Sequence, residues 1–129
     1  MPARKRILFV DDEPSIRLTL PSILQEHGFE VKTAASVSEA IAEISRSRFD
    51  VLLSDLNIGE DGDGFRVVSA MRRIQPRCIT VILTGYPGFE TAVQGIRNQV
   101  DDYLTKPADL DALIGSLKDK LASRNGKKS

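Results

Sequence analysis

Acidic side chains stand directly after two of the short apolar runs in this 129-residue sequence. Asp11 and Asp12 follow the first run and Asp55 follows the third, while Thr84 and Lys106 follow the fourth and fifth. Carboxylates gathered at one place repel one another unless a cation lies between them. Oxygen ligands without cysteine or histidine select a hard ion, and a site partly open to water suits Mg²⁺. A lysine and a threonine hydroxyl facing the same place would hold an anionic, oxygen-rich group such as a phosphoryl group.

Five predicted strands position these residues. The strands are predicted at Arg6–Val10, Phe29–Ala34, Val51–Leu53, Ile79–Leu83 and Asp102–Thr105. Segments of helical period follow each of them, over residues 14–27, 37–44, 65–74, 89–97 and 110–121. This alternation predicts a parallel sheet covered by helices on both faces, which is a doubly wound α/β fold. Ligands bind at the carboxyl ends of the strands in such a sheet, so the polar residues above are expected on one rim.

Several local signals predict where helices begin and end. Gly28 predicts the end of the first helix, and Pro21 inside that helix predicts a kink or a locally broken hydrogen bond. Ser36 and Glu39 have the spacing of a capping box, which predicts the start of the second helix. Cys78 opens a predicted strand and is expected to be a small core hydrophobe.

The composition excludes several classes of protein. Eighteen basic and eighteen acidic residues give a formal net charge of zero, which argues against an electrostatic nucleic-acid binder. No apolar run approaches the ~18 residues of a membrane span, and the apolar segment near the N-terminus is too short for a signal peptide. A single cysteine excludes an intramolecular disulfide and a multi-cysteine metal site. We therefore expect one cytoplasmic domain over residues 1–122, followed by a flexible, basic tail over residues 123–129.

Four short motifs together resemble the receiver domain of two-component response regulators. The matching segments are Val10-Asp11-Asp12-Glu13, Ser54-Asp55-Leu56-Asn57, Leu83-Thr84-Gly85 and Asp101-Asp102-Tyr103-Leu104-Thr105-Lys106-Pro107. Each motif is weakly specific by itself, but the four in this order at successive strand ends are highly specific. The resemblance implies a five-stranded, flavodoxin-like or CheY-like sheet of order 2-1-3-4-5 with five helices, in a bacterial signalling protein.

The resemblance also implies roles for the acidic residues. Asp55 resembles the phosphoacceptor, which takes a phosphoryl group from the phosphohistidine of a sensor histidine kinase or a phosphotransfer protein. Asp12 resembles a direct Mg²⁺ ligand and Asp11 a ligand that acts through water, while Asp55 and the backbone carbonyl of Asn57 complete the set. Mn²⁺ is the expected substitute ion. Such a domain is a signalling module rather than an enzyme, although it catalyses its own phosphorylation and dephosphorylation.

A switch is implied for the other residues of the rim. Thr84 and Lys106 would bond phosphoryl oxygens, and Tyr103 resembles an aromatic residue that turns inward when Thr84 moves. The peptide between Lys106 and Pro107 is expected to be cis. The switch would act through the face formed by the fourth predicted helix, the fifth strand and the last helix. A downstream effector protein or domain would bind this face, without direct contact to nucleic acid or membrane.

Two segments depart from the usual pattern of the family. Between Asp55 and Phe65 lies an acidic run with three glycines, in place of a shorter spacing with a proline, and this predicts a looser loop beside the metal. On the last helix, Ala112 and Ser116 stand where dimerising receivers similar to winged-helix regulators carry an acid and an arginine. We therefore expect a monomer or a weak dimer.

Three alternative functions share parts of this pattern. A small α/β phosphohydrolase would carry an Asp-x-Asp pair after the first strand, whereas Asp11 and Asp12 are adjacent. A flavodoxin-like cofactor carrier would need a loop rich in Ser, Thr and Gly at that place. A pseudo-receiver would keep the fold and bind partners without being phosphorylated, and the complete set of Asp12, Asp55, Thr84 and Lys106 weighs against it.

Overall fold

The computed structural model describes residues 4–85, 100–105 and 110–126 of the chain. Within these ranges it has five strands and four helices. The strands are β1 (Lys5–Val10), β2 (Phe29–Ala34), β3 (Val51–Asp55), β4 (Ile79–Thr84) and β5 (Asp102–Thr105). The helices are α1 (Pro14–Glu26), α2 (Val37–Arg46), α3 (Asp63–Ile74) and α4 (Leu110–Gly126). The helix predicted over residues 89–97 lies outside the described residues.

The five strands form one parallel sheet in the order β2-β1-β3-β4-β5. This confirms the predicted doubly wound topology. Val10 pairs with Ser54, and Asp55 pairs with Leu83 on the next strand. Because the pairing keeps the carboxyl ends of β1, β3 and β4 level, the residues that follow these strands meet at one edge of the sheet. We call this side the carboxyl edge and the opposite side the amino edge.

The central strands are buried on both faces, and β1 illustrates how. Leu8 and Val10 belong to one core cluster, while Ile7 and Phe9 belong to the other, as the two-residue period of a strand requires. Helices α2 and α3 cover the first cluster, and α1 and α4 cover the second. Each large apolar side chain buried in this way stabilises the fold by about 1.5–3 kcal/mol. A continuous apolar sequence in β1 therefore follows from helices on both sides of the sheet.

The predicted local signals define two helix ends. The Glu39 amide donates to Ser36 Oγ at 3.1 Å, which confirms Ser36 as the N-cap of α2, and Glu39 Oε1 accepts the amide of Ala35, one residue before the N-cap, at 2.9 Å. Helix α1 ends before Gly28, whose φ of 94° is readily adopted only by glycine. The same helix continues through Pro21, where the missing amide hydrogen removes one intrahelical hydrogen bond, as the sequence predicts.

The last helix is longer than the sequence predicts. The predicted helix ends at residue 121, whereas α4 continues to Gly126. The flexibility expected of residues 123–129 stays a prediction. Arg124 explains the difference, because its Nη2 lies 3.1 Å from Asp50 Oδ1 and its Nη1 donates to the Arg77 carbonyl at 3.3 Å. These contacts hold the final turn against the amino edge of the sheet. None of the helices described is long and apolar enough to cross a membrane.

Candidate functional site: an acidic cluster at the carboxyl edge

Three carboxylates converge at the carboxyl edge. Asp11, Asp12 and Asp55 each place one oxygen within 4.8 Å of the oxygens of the other two. Asp11 is fully buried, Asp55 is half-buried and Asp12 is exposed. The structure therefore brings together the three acidic residues that the sequence singled out, and it leaves the cluster open to solvent on the side of Asp12.

The turn between β1 and α1 fixes Asp11. Its amide donates to the Ala34 carbonyl at 3.1 Å, which extends the β1–β2 ladder by one residue. Its Oδ1 accepts the Glu13 amide at 2.9 Å, and its carbonyl accepts Arg17 Nη1 at 2.9 Å. A buried carboxylate held by a backbone amide keeps one orientation, so Asp11 has a defined place at the back of the cluster.

The end of β3 is held firmly on both sides of Asp55. Ser54 Oγ donates to the Asp55 carbonyl at 2.9 Å, and the Leu56 amide donates to the Leu83 carbonyl at 2.9 Å. The backbone that carries Asp55 is thus fixed to the neighbouring strand up to the point where the chain leaves the sheet. A half-buried carboxylate on a rigid strand end is well placed to act as a nucleophile.

The loop after Asp55 is tied to the site by side-chain oxygens. Asp12 Oδ2 accepts the Gly59 amide at 3.0 Å, and Asn57 Oδ1 accepts the Gly62 amide at 3.0 Å. Both glycines have positive φ, 86° and 80°, which is the conformation that glycine adopts without strain. The extra glycines let these backbone amides turn towards Asp12 and Asn57, so the loop is tied at two points, while the looseness expected of it stays a prediction.

Gly64 marks a close approach that the sequence analysis missed. Its amide donates to the Leu56 carbonyl at 2.7 Å, and a Cβ added to it would lie 2.4 Å from the Asp55 carbonyl oxygen. The first turn of α3 therefore packs directly against the backbone of the strand end that carries Asp55. The sequence offered no clear signal for it, because the predicted helix began at residue 65 and Gly64 stood in the glycine-containing run before it, whereas α3 begins at Asp63.

Thr84 and Tyr103 lie on the strands beside the cluster. Thr84 is buried at the end of β4, one residue beyond the pair that Leu83 makes with Asp55. Tyr103 is half-buried on β5 and meets Phe65 edge to face, with ring centroids 6.4 Å apart. Burial raises the pKa of the Tyr103 phenol above its ordinary value. The predicted residues Lys106 and Pro107, including their cis peptide, lie outside the described residues, directly after Thr105.

The chemistry of the cluster fits a divalent cation with hard oxygen ligands. The three groups that converge are all carboxylates, and His27 and Cys78 both lie elsewhere, at the end of α1 and the start of β4. A buried, a half-buried and an exposed carboxylate together leave part of the coordination sphere to water, which suits Mg²⁺ better than a closed site would.

A comparison with protein families decides what this arrangement belongs to. The family model described as "Response regulator receiver domain" matches residues 7–118. The chain belongs to this family. Receiver domains are signalling modules of two-component systems, and the match extends from β1 into α4, so it includes all three carboxylates of the cluster.

Individual proteins agree with the assignment as a receiver domain. The photosynthetic apparatus regulatory protein RegA of Cereibacter sphaeroides is 38% identical over 117 residues, or 89% of this chain. A CheY-like receiver domain from Methanospirillum hungatei JF-1 superposes with a TM-score of 0.89 at 28% identity, covering 96% of this chain and 98% of that one. A response regulator from Burkholderia pseudomallei, whose structure has a phosphorylated aspartic acid, a calcium ion and citrate, gives a TM-score of 0.82 at 27% identity, with 97% and 73% covered.

The chain spans only part of its curated relatives. It covers 62% of the length of RegA and 27% of the response regulator protein PilR of Pseudomonas aeruginosa. The similarity therefore concerns the receiver part of these proteins.

Proposed function

We propose that Asp55 accepts a phosphoryl group from the phosphohistidine of a sensor histidine kinase or a phosphotransfer protein. The observation that carries this proposal is the convergence of Asp11, Asp12 and Asp55 within 4.8 Å at the carboxyl edge of the sheet. Asp55 is the one of the three that ends the central strand β3, and its backbone is fixed on both sides. The family match supports the same role for it.

The transfer needs positioning and charge neutralisation more than covalent catalysis, because phosphoryl transfer passes through a loose transition state. A carboxylate oxygen of Asp55 attacks phosphorus in line with the leaving imidazole nitrogen, so a P–O bond forms as the P–N bond breaks. The imidazole nitrogen keeps the electron pair of the broken P–N bond and takes up a proton. Water later hydrolyses the acyl phosphate, which returns the Asp55 carboxylate and releases inorganic phosphate.

The same acidic residues would hold the metal that this step needs. Asp12 would bind Mg²⁺ directly, Asp11 would bind it through water, and the backbone carbonyl of Asn57 and the Asp55 carboxylate would complete the protein ligands. When bound, Mg²⁺ supplies positive charge beside the transferring oxygens, and Mn²⁺ would substitute for it. The Glu13 amide holds the carboxylate of the buried Asp11 in one orientation, beside the exposed carboxylate of Asp12.

Thr84 and Lys106 would bond the phosphoryl oxygens from the other side. Thr84 is buried at the carboxyl end of β4, beside the strand that carries Asp55, so a small movement of its hydroxyl towards the phosphoryl group would open space next to it. Lys106 follows β5, the strand on the other side of β4, and would supply an ammonium group. Both residues would contact the reacting group itself, and in this sense both are catalytic residues.

The signal would leave the site through Tyr103. Its ring packs edge to face with Phe65, and its side chain is half-buried, so an inward turn would remove the exposed part of the ring from solvent. An inward turn of Tyr103 would reshape the face made by β5, α4 and the segment over residues 86–99, and a downstream effector would bind the changed face. Hydrogen exchange before and after phosphorylation tests this mechanism. We expect changed protection over residues 86–105, and unchanged exchange there would contradict the proposed switch.

We place this receiver domain in the cytoplasm of a bacterial cell, where it would receive a phosphoryl group from its kinase and contact an effector protein or domain. Because Asp55 would be phosphorylated, the domain would not be a pseudo-receiver, which binds a partner without being modified. The output would be contact with protein, and the domain itself would bind neither DNA nor membrane.

Chemical trapping locates the phosphoacceptor. The protein is incubated with acetyl phosphate and Mg²⁺, the acyl phosphate is reduced with borohydride, and peptides are mapped by mass spectrometry. We expect the reduced residue at position 55. Modification of Asp12, Asp61 or another carboxylate in place of Asp55 would contradict the assignment.

A further inference from the structure

A basic cavity of about 910 Å³ lies at the amino edge of the sheet, at the opposite end from the acidic cluster. It is bordered by the start of β1, by the segments that follow α2 and α3, and by the last turn of α4. Seven cationic side chains line it, and Asp50 is the only acidic residue among the lining residues that the structure describes. The formal net charge of zero for the whole chain therefore hides a strong local excess of positive charge.

Three of the seven cations are already neutralised. The ion pairs are Arg6–Glu30, Arg46–Glu43 and Arg124–Asp50. Asp50 is fully engaged, because its Oδ1 lies 3.1 Å from Arg124 Nη2 and its Oδ2 accepts the Arg6 amide at 2.9 Å. Glu30, Glu43 and Asp50 are therefore already paired, and none of them neutralises the other four cations of the cavity.

The other four cations have no ion pair among the residues described. They are Arg4, Lys5, Arg48 and Arg77; the three arginines are exposed and the lysine is half-buried. Helix dipoles favour cations in the last turn of a helix. Those positions are already filled by Arg46 in α2 and by Arg72 and Arg73 in α3, so the dipoles do not account for the additional cations. Four like charges around one cavity repel one another unless an anion lies between them.

We propose that the basic cavity binds a small anion with two or more adjacent phosphate groups. Arginine offers paired donors that match phosphate oxygens, and arginines on separate segments can contact neighbouring phosphates at once. The volume is within the ~300–1,000 Å³ range of small-molecule sites. A concave site confined to one end of the molecule favours a compact anion over a nucleic acid, whose backbone needs an extended basic track.

The walls of the cavity also offer contacts to an organic group. The Arg6 guanidinium lies over the Phe49 ring, 5.1 Å from its centroid, and Ile74, which also lines the cavity, is 40% exposed. A nucleotide would place its phosphates on the unpaired cations and its base against these groups. Inorganic polyphosphate would use the cations alone. The shared chemistry of both sources is the cluster of phosphates.

Titration with two probes tests the proposal and separates the two sources. Inorganic tripolyphosphate and a nucleoside triphosphate are titrated into the full chain by calorimetry in Mg²⁺-free buffer, with inorganic phosphate for comparison. We expect both polyphosphates to bind more tightly than inorganic phosphate. Equal affinity for the two would identify an inorganic polyphosphate as the ligand class, and tighter binding of the nucleotide would identify a nucleotide. Absence of binding by both would overturn the proposal.

Charge variants show whether binding depends on the basic cavity. We expect Arg48→Gln and Arg77→Gln each to weaken tripolyphosphate binding about tenfold, the loss of one charge-assisted contact. Lys118→Gln removes one exposed positive charge from α4 outside the cavity and should change the affinity less than about twofold. An equal loss in all three variants would contradict a specific site.

Amide chemical shifts show where the anion binds, independently of the phosphoacceptor proposal. We expect shifts over residues 46–50 and 75–78. Shifts confined to residues 11, 12, 55–57 and 84 would place the anion at the acidic cluster and overturn the proposal. Tighter binding of a duplex oligonucleotide than of tripolyphosphate, with the same dependence on Arg48 and Arg77, would also overturn it in favour of nucleic acid.

Discussion

Asp12 combines two properties that set it apart from its neighbours at the acidic cluster. It is exposed, and its Oδ2 accepts the amide of Gly59 in the following loop. Asp11 is buried and held by the Glu13 amide instead. A metal ion entering from solvent would therefore meet Asp12 first, and the loop would be fixed by the same carboxylate. We therefore expect Asp12 to contribute more to metal binding than the acidic residues of the loop after Asp55.

Removal of Asp12 tests this view of the metal site. We expect Asp12→Ala to weaken Mg²⁺ binding about tenfold or more, because it removes a direct oxygen ligand and the anchor of Gly59. Asp61→Ala is the matched control, since Asp61 is exposed in the same loop and is not one of the three converging carboxylates. Glu60→Ala should likewise have little effect. Calorimetric titration with MgCl₂ measures all three, and the reverse order would mean that the loop carboxylates bind the metal.

Cys78 behaves as a core residue and not as a reactive thiol. It is 3% exposed, and burial, with the charge of Asp50 nearby, raises the pKa of its thiol from 9.0 to about 12. We expect no reaction with a disulfide reagent near neutral pH until the protein is unfolded in urea. Rapid labelling of the folded protein would contradict this.

The same pKa shift has a consequence for stability. The unfolded thiol ionises near pH 9, whereas the folded thiol stays protonated up to about 12. The stabilising contribution is therefore complete below pH 9, and the free energy of unfolding falls as the pH rises from 9 towards 12. Cys78→Ala should make this decline shallower in urea denaturation. An unchanged decline would show that other groups, such as Tyr103, cause it.

Among the helices and strands, the contact between α3 and the end of β3 holds Asp55 in place. It depends on Gly64, whose amide bonds to the Leu56 carbonyl. A Cβ at this position would meet the Asp55 carbonyl at 2.4 Å and Leu56 Cα at 2.9 Å, both of which are backbone atoms that cannot turn aside. The tight packing of a helix start against a strand end explains why glycine stands in the first turn of α3.

Gly64→Ala should therefore lower both stability and phosphorylation. We expect a loss of about 1–3 kcal/mol in the free energy of unfolding, typical of forced overpacking, and slower labelling of Asp55 by acetyl phosphate. Gly115→Ala is the control, since that helical glycine has open space around it and alanine should stabilise α4 by about 0.5–1 kcal/mol. Urea denaturation measures both variants. A neutral effect of Gly64→Ala would contradict the account of the β3–α3 contact.

Local sequence patterns predicted the elements well and their long-range contacts poorly. The bounds of β2 and β5 agree with the prediction, because apolar, β-branched residues and their flanking breaks are local signals. The end of α4 was missed because Arg124 contacts Asp50, which is 74 residues away in the chain. At the site, strand ends predicted the three carboxylates. The hydrogen bond from the Gly59 amide to Asp12 joins residues that are 47 positions apart. It depends on the positive φ of Gly59, whereas the sequence alone shows only that a glycine at this position is flexible.

The acidic cluster and the basic cavity of the receiver domain lie at opposite ends of its strands. The carboxyl edge carries the acidic cluster, while the amino edge carries the basic cavity. The carboxyl edge would attract a divalent cation, and it would repel free phosphate anions unless a metal neutralises it. Net charge alone indicated neither edge, since it sums all eighteen basic and eighteen acidic residues of the chain.

The charged side chains on the face of α4 and β5 determine the oligomeric state that we expect. Ser116 Oγ donates to Asp102 Oδ2 at 2.6 Å, and Lys120 Nζ lies 3.9 Å from the same oxygen, so Asp102 already has partners within the chain. Ala112 is exposed on the same helix and offers no charge. We expect the beryllofluoride-activated protein to sediment as a monomer or a weak dimer. A tight two-fold dimer through residues 88–118 would contradict this.

We expect Asp55 to be phosphorylated in a reaction that needs the acidic cluster and a divalent cation, and intact-mass spectrometry after incubation with acetyl phosphate measures this. Wild-type protein and Asp61→Asn should each gain the mass of one phosphoryl group in the presence of Mg²⁺, and lose this gain when EDTA is added. Asp55→Asn should gain none under either condition. Equal labelling of Asp55→Asn and wild type, or labelling of wild type that is unaffected by EDTA, would contradict the account.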